Sequence, residues 1–118
     1  MTDREELEIA VKALDSKRAE DIMALKVEDL TILANYFVIA SASSSTQVKA
    51  MADEVEYQLE KKGVSPKSIE GIGSNDWVVM DYIDVVVHIF HKQARDFYQL
   101  ERLWADAEKI DISDIIAD

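Results

Sequence analysis

The chain has 118 residues, 48% hydrophobic and 31% charged, which fits one globular domain burying about two-thirds of its unfolded surface. It carries no cysteine, which excludes disulfide and thiolate chemistry, and its net charge of −11 sets most of its surface against phosphate backbones and anionic membranes. Such a field steers in basic proteins instead. No apolar run nears the roughly 18 residues of a membrane span, and the acidic start M-T-D-R-E-E is no secretory leader, so a cytoplasmic protein is expected.

Thr2-Asp3-Arg4-Glu5 has the form of a capping box. Leu7, Ala10, Val11 and Leu14 then recur at i, i+3, i+4 and i+7, so a first helix is expected to reach Ser16. The runs D-I-M-A-L-K-V (21–27) and Y-F-V-I-A-S-A (36–42) read as strands. The serine cluster at 41–46 lacks the glycines a phosphate cradle needs. Ser44-Ser45-Thr46-Gln47 is a second capping box instead, opening a helix whose apolar stripe is Val48, Met51, Ala52, Val55 and Leu59. Gly63 stops that helix and Pro66 follows. Residues 67–71 read as a short third strand and 71–74 as a turn.

The stretch N-D-W-V-V-M-D-Y-I-D-V-V-V-H-I-F-H (75–91) holds two apolar runs, 77–80 and 85–90, around a short polar break, the pattern of an antiparallel hairpin. With Tyr82-Ile83 as the loop, Asp81 faces Asp84, Met80 faces Val85, Val79 faces Val86, Val78 faces Val87 and Trp77 faces His88. Alternation along the strands then gives two unlike faces. One carries Val78, Met80, Val85, Val87 and Ile89 and wants a core. The other carries Trp77, Val79, Asp81, Asp84, Val86, His88 and Phe90, and is the better candidate for a contact surface.

Beyond 92–95 a last helix is expected with Phe97, Leu100, Leu103 and Trp104 turned inward. Residues 107–118 read as an acidic tail after a single domain spanning 1–106. The order α-β-β-α-β-β-β-α describes an α+β domain, a mixed β-sheet with flanking helices.

His88 and His91 are the only histidines, and on a strand residues three apart point to opposite faces, which argues against a shared metal. Asp81 and Asp84 across the hairpin end read either as turn residues or as two carboxylates awaiting a partner's Arg or Lys. No catalytic group, cofactor or metal is expected.

The segments N-Y-F-V-I-A-S (35–41), S-S-x-x-Q-V (43–48), A-D-E-V (52–55), W-V-V-M-D-Y-x-D-V-V-V-H-I-F (77–90) and R-x-F-Y-x-L-E-x-L-W (95–104) resemble the ribosomal silencing factor family, also called RsfS or iojap-like. The resemblance runs from about Leu14 to Asp106. It implies a nucleotidyltransferase-like fold without the transferase chemistry, since Ala40-Ser41 and Ala42-Ser43 lack the Gly of a Gly-Ser motif and Asp81 and Asp84 are three apart rather than two. Ile83 stands where the family often has Gly; a β-branched residue tolerates positive φ poorly, so a wider loop is expected.

The implied function is translational repression: binding the large ribosomal subunit through its protein fourteen and blocking association with the small subunit. The partner expected is thus a basic ribosomal protein, with little direct nucleic-acid contact and no membrane; a homodimer is a further assembly compatible with the sequence. The expected partner-binding residues are Trp77, Asp81, Asp84, His88 and Phe90, with Tyr98 and Glu101 from the last helix. The alternative is a metal-dependent enzyme acting on nucleotides with Asp81 and Asp84 as ligands.

Overall fold

The computed structural model describes residues 1–116. Along the chain it has α1 (Asp3–Ser16), β1 (Glu20–Lys26), β2 (Tyr36–Ala42), α2 (Ser45–Glu60), β3 (Ser68–Glu70), β4 (Trp77–Asp81), β5 (Val85–His91), α3 (Lys92–Tyr98), α4 (Leu100–Leu103) and β6 (Glu108–Ile110). The strands form one sheet in the order β3-β4-β5-β2-β1-β6. Among the described strands β2 and β5 alone run parallel, so the domain is α+β with a mixed sheet, as expected. None of the described helices is long and apolar enough to cross a membrane.

Both helix starts are set by side chains. Thr2 Oγ1 accepts from Glu5 N and Glu5 Oε1 accepts from Thr2 N, each at 3.1 Å, a complete capping box. At α2 the box is half formed: Ser44 Oγ accepts from Gln47 N. Gln47 Oε1 accepts from the Ser43 amide (2.8 Å), while its Nε2 reaches the carbonyls of Lys17 and Arg18. That glutamine ties the start of α2 to the end of α1.

The two helices cover one face of the sheet. Leu7, Val11 and Leu14 from α1 and Val48, Met51, Val55 and Leu59 from α2 close over Val38, Val78, Met80, Val85, Val87 and Ile89. The other face carries a second cluster, with Leu25, Phe37, Ile39, Val86 and Phe90 under Leu100, Trp104 and Ala94. β2 and β5 are buried on both sides, which is why they read as unbroken apolar runs.

The hairpin differs from expectation in register. Trp77 pairs with Phe90, Val78 with Ile89, Val79 with His88, Met80 with Val87 and Asp81 with Val86. An even slip keeps every side chain on its expected face. The tip changes: the loop is Ile83-Asp84, closed by Tyr82 N–H donating to Val85 O at 2.9 Å. Ile83 sits at φ +74° despite its branch, held by the Asp81 carboxylate, which accepts from Ile83 N at 2.7 Å. The wider loop is therefore not formed, and Asp81 and Asp84 do not face each other.

Two further differences lie after β5. The expected last helix is broken at Gln99, in the left-handed region at φ +49°, which resets the phase of the chain. Leu100 and Trp104 turn inward, whereas Phe97 and Leu103 stand out at 81% and 77% exposure. Within residues 107–118, read as a tail, β6 pairs antiparallel with β1, and Ile110, Ile112, Ile115 and Ile116 pack on the main core. Asp118 lies outside the described residues.

Candidate interaction surface

The face of the hairpin singled out in the sequence holds a run of rings. Trp77 stacks on Phe90 (centroids 4.9 Å apart, 23° between planes) and meets Tyr98 of α3 at 5.0 Å. Phe37 places its edge against His88 at 5.0 Å and against Trp104 at 5.1 Å. Trp77 is brought into position by Gly71, whose φ of +92° and bare Cα let the Trp77 carbonyl approach; a Cβ there would lie 2.0 Å from that oxygen.

Trp77 and His88 are diagonal rather than opposite, yet they are joined: Trp77 Nε1 donates to His88 Nδ1 at 3.1 Å. That bond assigns the remaining imidazole proton to Nε2, a buried atom with no hydrogen-bond partner. Burial pushes the His88 pKa down to about 4, so the ring is neutral and carries no charge to a partner.

Of the expected contact residues, the structure brings together Trp77, His88, Phe90 and Tyr98 and separates the rest. Phe90 is fully buried and His88 is 7% exposed, because α3 and α4 close over them; neither side chain offers a surface to another molecule. Trp77 is half-buried and Tyr98 is exposed, next to a hollow of about 290 Å3 lined by Asp76, His91, Gln93, Ala94, Phe97 and Tyr98. Asp81 is spent on the turn. Asp84 lies against α1, where burial and then the Asp3 carboxylate raise its pKa. The two carboxylates that the enzyme alternative would use as metal ligands are thus engaged separately, and among the described residues no three His, Asp or Glu side chains are grouped to hold a metal ion.

Glu101 belongs to another constellation, centred on a residue the sequence did not single out. Arg95 is buried, with Nη1 donating to the Asp21 carbonyl (2.6 Å) and to Ser41 Oγ (2.8 Å), and Nε to Glu101 Oε2 (3.2 Å). Its fork pins α3 and α4 to the ends of β1 and β2, beside a cleft of about 430 Å3 also lined by Lys92 and Asp96. Also unmarked in the sequence were the apolar loop residues Leu30, Ile32 and Leu33, all exposed. The run L-T-I-L-A-N was the available signal, and it sits too close to the strand that follows to stand out.

Known proteins resemble this chain over most of its length. The family model described as ribosomal silencing factor during starvation matches residues 1–118. The ribosomal silencing factor RsfS of Bacillus subtilis (strain 168) is 45% identical over 112 residues, 95% of either chain. A crystal structure of a Chromobacterium violaceum protein superposes with a TM-score of 0.87 at 37% identity, covering 89% of this chain and 88% of that one. At 28% identity, a Mus musculus protein named mitochondrial assembly of ribosomal large subunit protein 1 matches 84% of this chain and 45% of its own length.

Proposed function

The chain belongs to the ribosomal silencing factor family, and from that premise we propose that it represses translation by binding the large ribosomal subunit and blocking its association with the small one. The observation that carries this function is the family match over residues 1–118. The mouse relative, named for large-subunit assembly, points to the same half of the ribosome. The partner within it is a basic protein, the large-subunit protein fourteen, rather than ribosomal RNA. A chain of net charge −11 is repelled by a phosphate backbone and drawn to a cationic protein surface.

The action needs no catalysis and takes place in the cytoplasm. Trp77 and Tyr98 meet the partner at one end of the hairpin and Asp84 at its tip, while Asp81 and Glu101 support that surface by holding the turn and Arg95. His88 and Phe90 act from beneath, one bonded to the Trp77 indole and the other stacked under it.

Separated ribosomal subunits test this directly. The protein should sediment with the large subunit and not the small one, and, added first, it should lower the yield of joined ribosomes. Equal binding to both subunits, or to neither, would overturn the proposal. The nucleotide-enzyme alternative is revived only by metal-dependent nucleotide turnover that Asp84→Asn abolishes.

A further inference from the structure

Three segments meet at one end of the sheet. The amides of Asn35 and Tyr36 both donate to the Asp84 carbonyl, at 2.8 and 3.0 Å, which fastens the 27–35 loop to the β4–β5 turn. Asn35 Nδ2 donates to Asp3 Oδ2, which fastens the same loop to the first turn of α1. What this end presents to solvent is apolar and acidic together. Ile32 is fully exposed at 102% and Leu33 at 72%, with Leu30 and Ile83 exposed beside them in the chain and across the turn. A folded chain gains nothing internally from a fully exposed Ile-Leu pair, and side chains of this kind on one small patch mark contact surfaces.

Among the described residues no Lys or Arg forms an ion pair with Asp3, Glu6 or Asp84. Beyond burial, the Asp3 carboxylate helps raise the Asp84 pKa, and both aspartates press on Glu6. Glu6 Oε1 is buried without a hydrogen-bond partner, and so is the hydroxyl of Tyr82, a residue 5% exposed that sits between Glu6 on α1 and Glu56 and Glu60 on α2. Lys26, close by in sequence, is bonded to Glu28 at 3.2 Å. The positive charge acting on Glu6 is the α-amino group, and its effect is smaller than that of either aspartate. Among the described residues the carboxylates are not grouped to hold a metal ion, so the cation that suits them is one carried on another molecule.

We propose that this end of the sheet, with Ile32 and Leu33 as apolar anchors and Asp3 and Asp84 as their acidic rim, docks into an apolar hollow edged by Lys or Arg on a basic protein. The partner's chemistry rests on the ribosomal reading above; the surface adjoins the hairpin face at the tip and extends it to residues outside the hairpin. A second copy of this chain is a poor occupant, since it would set the same unpaired acids against each other.

Full-length protein and purified large subunits provide the test, with dissociation constants measured over a salt series. The double variant Ile32→Ser, Leu33→Ser should bind about tenfold more weakly or worse, the range of an apolar anchor, with an unchanged melting temperature because both side chains are solvent-exposed. Asp84→Asn should weaken binding and flatten its salt dependence. Ile72→Ser, an exposed residue in the turn before β4 and so at the opposite end of that strand from the tip, should bind as the parent does. If the parent binds and the double variant and Asp84→Asn bind equally well, the docking surface is overturned while the ribosomal function stands. If the parent binds no subunit, the ribosomal reading falls and takes this partner with it. If the double variant only converts a dimer to a monomer, with subunit affinity unchanged, the occupant is a second copy and the proposal fails.

Discussion

His88 shows how a strand position that looks like chemistry is turned to structure. Its Nδ1 accepts from Trp77 and its ring is sealed under Phe37, so the folded protein keeps it neutral with a pKa of about 4, against 6.5 when exposed. The sign follows from the depressed value. Above pH 6.5 the imidazole is neutral in both states and the contribution is intact. As the pH falls from 6.5 towards 4, the unfolded chain takes up a proton that the folded one refuses, and stability is lost. The loss is at most about 1.4 kcal/mol per pH unit and roughly 3 kcal/mol across the window. Urea unfolding at pH 7, 6 and 5 should show the decline, and His88→Gln should make it shallower; equal slopes would mean that His88 titrates freely in the fold. Trp77 has a matching test. Trp77→Phe keeps the stack on Phe90 but loses the bond to His88, at a cost of about 1 kcal/mol. Trp77→Ala loses both and should cost about 2 kcal/mol or more, part of the loss expected for a fully buried Trp.

At the scale of elements, the segment from α3 to α4 is a strap across the second face, and Arg95 is its fastening. One guanidinium satisfies a backbone carbonyl, a hydroxyl and a carboxylate on three different elements, a geometry that an ammonium cannot reproduce. Arg95→Lys should therefore lower unfolding stability by roughly 1–3 kcal/mol and speed amide exchange in α3 more than in α2. An exchange rate equal in both helices would show that packing alone holds the strap. This strap was only half legible in the sequence. The central strands were plain, because burial on both sides writes unbroken apolar runs, and both long helices announced themselves through caps and periodic stripes. The break at Gln99 left no mark, since a Gln at positive φ is imposed by packing and not by its own preference. The two-residue slip of the hairpin was invisible for a different reason: both registers put the same side chains on the same faces, and only the contacts at the tip distinguish them.

At the scale of the molecule, net charge −11 disfavours RNA, and four of the exposed apolar residues, Leu30, Ile32, Leu33 and Ile83, lie in the two loops that the Asp84 carbonyl joins. The sheet itself ends in strands of three residues on both sides, β3 and β6. So short a border gives a neighbouring chain little backbone to pair with, which is a defence against aggregation. Removing residues 107–118 would leave the seven-residue β1 as the border, with the backbone groups that β6 occupies unpaired. The shortened protein should scatter light increasingly with concentration and bind an amyloid-sensing dye, while the full chain stays clear. If it remains monodisperse at equal concentration, the last strand serves packing alone. If instead it associates, the acidic ending guards solubility less by its charge than by keeping this protein from polymerising along its own sheet.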